Sequence, residues 1–438
     1  MSIRRVAMGL VIVLLAINLG VAARIYSAAT VTTDKDDPYE HFKVMAQVME
    51  MIRANYVDGE KVTYQEMTYN ALKGMLGSLD PHSQFMEPQV FEDMQDDTEG
   101  KFGGLGIVIT MSKDGFLTVV APMEDTPGAR ARLLPGDRII RIDGKVTEKM
   151  NLQEAVRMLR GDPGTKVTIS VFRPRAKDPA ERVKDHTIER AEIKVESVKD
   201  VKMLKDDIGY IRVTQFNVPT ADEFEAALEK LEKLGMTSLV IDLRYNPGGL
   251  LDAAIKVASK FVPRGEMVVS TEGRDPRQIS RYRAAGGKKF LNLPVVVLIN
   301  AGSASGSEIV AGALQDLKRA VLVGETTFGK GSVQSILRLP DGAALRLTTA
   351  KYYTPSHKVI HEHGVEPDIL VPVSEEDELK LAEQRARAGM PPPEEGAEKV
   401  VPIPDVQLDR AIDLLKGVKL FAKQAKLGGK TDKTAVAK

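Results

Sequence analysis

Pro294-Val-Val-Val-Leu-Ile299, with the nine residues that follow it, Asn300-Ala-Gly-Ser-Ala-Ser-Gly-Ser-Glu308, decides the fold. A continuous apolar run of this length, bounded by turn residues, reads as a strand buried on both faces. Ser238-Leu-Val-Ile-Asp-Leu243 is a second such run and Ala320–Gly324 a third. The first two lead through Gly, Asn or Ser into an amphipathic stretch, Leu250–Phe261 and Ser305–Leu317. Strand and helix therefore alternate from about Val195, which predicts an α/β core with a largely parallel sheet. Downstream, Ser332–Leu339 and Ala344–Tyr353 flank Pro340-Asp341-Gly342, a hairpin signal.

Before this core the chemistry of the chain changes twice. Pro38 to about Gln95 reads as helical, with Phe42, Met45, Val48, Met49 and Ile52 at helical spacing and a second periodic stretch over Tyr69–Leu79, ended by Asp80-Pro81. A Gly-rich entry at Gly100–Gly106 then opens a compact, mainly β module: strands at Gly106–Thr110 and Phe116–Val120, a helix at Asn151–Leu159, a strand at Lys166–Arg173. After the core the sequence turns charged at Ser374. Met390–Pro404 is rich in Pro and Glu and reads as a linker, and Val406–Ala422 reads as a short helix.

The 438 residues suffice for several domains. With 61 basic against 61 acidic residues and no basic stripe, a nucleic-acid partner is not expected. There is no Cys, which excludes disulfides, thiolate nucleophiles and thiolate metal sites. Arg4 and Arg5 precede an apolar stretch from Val6 to Ala23, the layout of a signal sequence or membrane anchor over residues 1–30. The expected location is periplasmic, anchored in the inner membrane or secreted after signal cleavage.

Ser305 stands where a buried strand meets a helix, at the carboxyl edge of the sheet, where open α/β folds bind ligands. Ser305-x-x-Glu308 fits a capping box, so a plain helix cap is one reading. The other uses the same geometry: helix-start N–H groups can stabilise an oxyanion next to a nucleophilic Ser. Such a Ser needs a base. None of His41, His82, His186, His357, His361 and His363 sits in a triad context. His361-Glu-His363 lacks the helical spacing and the third ligand of a zinc site, so neither metal nor other cofactor is expected. Lys330, in Phe328-Gly-Lys-Gly331, is the remaining base, since a desolvated Lys can be neutral near pH 7. Gln334, four positions on, could orient its amine. A solvated turn remains the ordinary alternative.

Ser303–Glu308, Gly324-Glu-Thr-Thr-Phe-Gly-Lys-Gly331 with Gln334, and Asp242-Leu-Arg-Tyr-Asn-Pro-Gly-Gly249 together resemble three motifs of the C-terminal processing peptidases, or tail-specific proteases. That resemblance implies Ser305 as nucleophile, Lys330 as general base and Gln334 as its orienter. It implies an oxyanion hole from the backbone N–H groups of Gly249 and Gly306, with Gly248 shaping the turn. Gly306 replaces the Ala usual in the family. The implied fold is a crotonase-like serine protease core with an inserted PDZ domain and helical regions at both ends.

For the PDZ domain, Gly103-Gly-Leu-Gly-Ile107 resembles the carboxylate-binding loop and Leu134-Pro-Gly-Asp-Arg-Ile-Ile-Arg-Ile-Asp-Gly144 a typical later segment. Gly104, Leu105, Gly106 and Ile107 are then expected to hold a substrate tail as an added strand, with Arg173 sensing it. The expected division is 38–97 helical, 98–192 PDZ, 193–375 protease core and 376–438 linker, helix and tail. Protein substrates with free C-terminal tails are the expected partners. Pairing of two protomers through the N-terminal helices and an adaptor lipoprotein, known for some relatives, stay open. The rivals are a non-catalytic PDZ scaffold and an acyl-CoA-handling crotonase relative, for which a PDZ module and an export signal would have no use.

Overall fold

The computed structural model describes residues 37–388 and 402–431, apart from 60–61, 113, 124, 175, 177, 179–181, 276 and 278. The expected signal or anchor over 1–30 and most of the expected linker lie outside the described residues. Contacts divide the chain between Leu79 and Asp80. In the first unit α1 (Pro38–Asn55) and α2 (Tyr64–Gly77) are both started by local caps. Asp37 accepts from the Tyr39 N–H, and Thr63 and Glu66 exchange hydrogen bonds in a capping box. The helical periodicity of α1 holds, but the stripe is no core: none of its residues is buried, and Phe42 and Met51 are each 63% exposed. Among the described residues no helix is long and apolar enough to cross a membrane.

The second unit opens with β1 (Gln84–Met86) and α3 (Pro88–Glu99), so the stretch expected as helix to Gln95 is broken by a strand. Next comes the mainly β module. β2 (Lys101–Gly104) pairs only with the returning β9 (Ala191–Lys194), which closes the module at its base. Between them lie β3 (Ile107–Met111), β4 (Leu117–Pro122), the short α4 (Pro127–Arg130), β5 (Arg138–Ile142), β6 (Lys145–Val146), α5 (Leu152–Leu159), β7 (Lys166–Phe172) and β8 (Val183–Glu189). The sheet order β3-β4-β5-β7-β8 leaves β3 at an edge. Val167, Ile169 and Val171 of β7 are buried on alternate positions, and with Leu117, Val119, Ile139 and Leu159 they form the module's own core.

The α/β core follows as β10 (Val198–Met203), β11 (Ile208–Val213), α6 (Thr220–Lys233), β12 (Ser238–Asp242), α7 (Leu251–Ser259), β13 (Met267–Gly273), β14 (Ile279–Arg283), β15 (Val295–Ile299), α8 (Gly306–Asp316), β16 (Ala320–Gly324), β17 (Ser332–Arg338), β18 (Ala344–Tyr353), β19 (Ile369–Leu370), α9 (Glu375–Ala388) and α10 (Val406–Thr431). β12, β15 and β16 are the three apolar runs, side by side and parallel in the order β10-β11-β12-β15-β16-β19. Their alternation explains why the runs are continuous. Leu239, Ile241, Val295, Val297 and Ile299 face α6, α7 and α8, while Val240, Val296, Leu298 and Val323 face Ala411 and Leu415 of α10. A second sheet, β1-β18-β13-β14 with β17 on β18, carries the expected hairpin. β13, β14 and α9 have no counterpart among the elements expected from the sequence.

Candidate functional site

β15 ends at Ile299, and its side-by-side neighbour β12 ends at Asp242, so their following loops meet at one edge of the sheet. Polar side chains lace the two loops. Asn300 Oδ1 accepts from the Tyr245 and Gly302 amides, and Ser303 Oγ donates to the Leu243 carbonyl at 2.8 Å. Ser307 Oγ and the Ala304 amide both donate to the Asn246 carbonyl, at 2.9 Å. Apart from the exposed Tyr245 the residues making these bonds are buried or half-buried, so the bonds also prevent orphaned polar atoms. Ser305 begins α8 at φ 52° and ψ −109°, a positive-φ conformation rare outside Gly. Such strain clusters at functional sites.

Glu308 is the centre of the arrangement, although its sequence context marks it only as part of a cap. Its carboxylate is fully buried. Oε2 accepts from the Ser305 N–H at 2.8 Å and from the Lys330 N–H at 2.9 Å. Oε1 accepts from Thr327 Oγ1 at 2.6 Å and from the Gly329 N–H at 2.7 Å. One oxygen therefore ties the backbone of Ser305 to that of Lys330. Burial pushes the carboxyl's pKa up, and these four hydrogen bonds counter it only in part.

Lys330 is half-buried, and its ammonium forms no ion pair among the described residues. Burial pushes its pKa down, the charge of Arg346 pushes the same way, and Glu308 opposes both. An amine so placed is able to accept a proton. Gln334 is the cross-strand partner of Thr348, and its amide donates to Ser332 Oγ at 2.9 Å and Thr348 Oγ1 at 3.4 Å. No hydrogen bond joins it to Lys330.

The glycines crowd the Ser. A Cβ on Gly248 would stand 2.7 Å from Ser305 Cβ and 2.7 Å from the Gly306 nitrogen. On Gly249, at φ 140°, it would lie 2.0 Å from the Phe216 carbonyl oxygen. The Gly248 N–H is taken by Asn246 Oδ1 at 2.9 Å, whereas those of Gly249 and Gly306 donate to nothing among the described residues. Two donors are thus left for a ligand oxygen. A Cβ on Gly306 would approach the Phe216 ring to 3.0 Å and the Ala254 methyl to 3.4 Å.

Other residues of the site carry no sequence signal of their own. Tyr352, buried beside Ser305, has its phenol pushed up to about 12 by desolvation, with Ser305 pulling weakly the other way. His82 is held below its ordinary pKa by burial and then by the charge of Lys330, which lies within electrostatic reach of it. Behind the Asn246 loop, Arg244 pairs with Asp242 at 2.7 Å and with Asp405 at 2.8 Å, and Tyr210 donates to Asp242. The Asp-Leu-Arg motif is a buried clamp on the start of α10.

In the β module Gly104, Leu105 and Gly106 form the turn from β2 into β3, with Ile107 opening β3. The Leu105 and Gly106 amides donate to no described group, while their carbonyls are held by Gly128 and Met123. Gly106 takes φ 65°, and a Cβ there would lie 2.4 Å from Thr126 Cβ. Arg173 is elsewhere engaged: its guanidinium grips the buried Asp137 at 2.7 Å through both Nε and Nη2, and donates to the Arg132 carbonyl. Among the described residues no group of three His, Cys, Asp or Glu could hold a metal ion.

Residues 207–371 match Peptidase family S41, and residues 118–173 match a PDZ domain. A carboxy-terminal-processing protease of Bartonella bacilliformis is 42% identical over 414 residues, spanning 90% of this chain and 93% of that protein. A carboxyl-terminal-processing protease of Synechocystis is 37% identical over 84% of this chain and 81% of its own length. A solved photosystem II D1 C-terminal processing protease, 30% identical, aligns over 75% of this chain and 92% of its own with a TM-score of 0.45.

Proposed function

Because this chain belongs to the carboxy-terminal processing proteases of peptidase family S41 and carries a PDZ domain, we propose that it is a Ser–Lys endopeptidase that selects protein substrates by their free C-terminal tails. The observation that carries this reading is the single Glu308 oxygen holding the Ser305 and Lys330 amides. It supports a nucleophile and a base fixed to one point.

In the proposed reaction neutral Lys330 Nζ takes the Ser305 hydroxyl proton as Oγ attacks the scissile carbonyl carbon. The oxyanion accepts from the Gly249 and Gly306 amides. Lys330 returns its proton to the leaving amine as the C–N bond breaks. Water, deprotonated by Lys330, then attacks the ester and releases Ser305. Gln334 is the orienter of the Lys330 amine. The substrate's terminal carboxylate meets the free amides of Leu105 and Gly106, and its last residues extend the sheet along the edge strand β3. The same reading has the protein exported and either tethered or released at its N-terminal apolar segment.

The test uses the wild-type protein, Ser305→Ala and Lys330→Ala on an unstructured protein ending in apolar residues, free or amidated at its C-terminus. Cleavage by wild type alone, weakened by amidation, is expected. Wild-type rates in Lys330→Ala would overturn the dyad. Tail binding without cleavage by the wild type would establish a scaffold instead.

A further inference from the structure

Asp80 reads in sequence as the stop of a helix, and nothing in the reaction above uses it. Its carboxylate nonetheless accepts four hydrogen bonds. Oδ1 accepts from the His82 N–H at 2.8 Å, the Ser83 N–H at 2.9 Å and the Thr348 hydroxyl at 3.1 Å, and Oδ2 accepts from Ser83 Oγ at 2.6 Å. Burial pushes its pKa up, but these bonds win and hold it below the ordinary value, so it is an anion that can only accept.

That fixes protons further along. Thr348 has one hydroxyl proton, and Asp80 takes it. Only lone pairs of Thr348 Oγ1 remain for its cross-strand neighbour Gln334. An amide facing those lone pairs must present its NH2 end, and Nε2 does lie 3.4 Å from Thr348 Oγ1. A second hydroxyl, Ser332 Oγ, accepts from the same nitrogen at 2.9 Å. The carbonyl end, Oε1, is left without a described partner. It is the atom that can accept from an amine or ammonium.

We propose that Asp80 is a positioning residue: through Thr348 it sets which end of the Gln334 amide is offered to Lys330. The proposal rests on the reading of Lys330 as base and Gln334 as its orienter. The loop's closeness to the base has independent support, since Lys330 acts on the charge of His82 and Arg346 Nε donates to the His82 carbonyl at 3.1 Å. Without the carboxylate, Thr348 could donate to Gln334 instead. The amide would then turn over, aiming two N–H groups at a group that must bind a proton.

Thr348→Val keeps side-chain shape and the backbone bond to Ser83 but removes the relay. It is expected to lower kcat about tenfold, the worth of one hydrogen bond, at unchanged KM for a tail-bearing substrate. Thr348→Ser restores the hydroxyl and should run within about twofold of wild type. Asp80→Ala, which removes the acceptor of the Thr348 proton, should resemble Thr348→Val, whereas Asp80→Asn keeps an accepting oxygen for Thr348 and should not. In a Gln334→Ala background Thr348→Val should cost nothing further, a coupling that general destabilisation would not give. Wild-type kcat in Thr348→Val, or independent losses in the double variant, would overturn the relay while Gln334 stands. Wild-type kcat in Gln334→Ala would instead overturn the orienter role itself, and the relay with it.

Discussion

Replacing Glu308 by Gln separates what holds the fold from what aligns the site. A carboxylate offers acceptors at both ends, and here four donors use them, two at each oxygen. A Gln amide has one accepting end. With its oxygen toward Ser305 and Lys330 the Gln orphans only the Gly329 N–H, since the Thr327 hydroxyl can turn to accept; the other way round it orphans two backbone N–H groups, at roughly 1–3 kcal/mol each. Against that stands relief from burying a charge, several kcal/mol per ion. Burial outweighs the hydrogen bonds in setting the Glu308 pKa, so the two effects of the substitution oppose each other. Stability should change by no more than about 2 kcal/mol, a Tm shift of a few degrees.

Catalysis has no such compensation. Either orientation of the new amide loosens the Ser305–Lys330 tie or the Thr327–Gly329 turn behind it, and a displacement of about 1 Å costs about a hundredfold in rate. Guanidinium melts beside single-turnover cleavage of a tail-bearing substrate measure both. The pH dependence has a definite sign. The folded pKa of Glu308 is raised, so the stability it contributes is fully present below its ordinary 4.5 and is lost as pH rises through the raised value. Acid therefore does not unfold the protein through this residue, although protonation should mimic Glu308→Gln at the site. A variant with wild-type single-turnover rate would refute the brace.

Two further outcomes follow from the same geometry. The rate should rise along an acid limb with its midpoint below lysine's ordinary 10.5, and Arg346→Gln, which removes a like charge from beside Lys330, should move that limb to higher pH. A limb that stays put in pH-rate profiles of the variant would exclude Lys330 as the titrating group. Gly106→Ala, forced into a positive φ against Thr126, should raise KM for a free-tailed substrate at least about tenfold and leave cleavage of its amidated twin unchanged. Equal effects on both substrates would remove the Gly104–Ile107 turn from tail binding.

The buried strands are readable because they are covered on both sides, which makes them apolar at every position. The β17–β18 hairpin is readable from its Pro-Asp-Gly turn. β1 is not: it is three residues long, and it acquires its partner in β18 more than 250 residues away. β14 is mostly exposed and alternates too weakly to stand out. In the site, Ser305 and Lys330 can be singled out by local chemistry. Glu308 cannot, because a capping box accounts for it without reference to an amide 22 residues on. Asp80 likewise looks complete as a helix stop, since nothing local announces a hydroxyl 268 residues away. Local motifs single out Ser305 and Lys330; the carboxylates packed around them are recruited by tertiary structure.

The clamp on Arg244 has a consequence for how the protein is made. Its guanidinium lies behind the turn that presents Gly248 and Gly249, and two of its hydrogen bonds end on Asp405, 161 residues downstream. The same downstream helix covers one face of the central sheet with Ala411 and Leu415. A nascent chain therefore exposes Ser305 and Lys330 on the ribosome well before the glycine turn is braced and the sheet is covered. The brace on the glycine turn thus forms only once a residue 161 positions after Arg244 has been made and has folded back onto it.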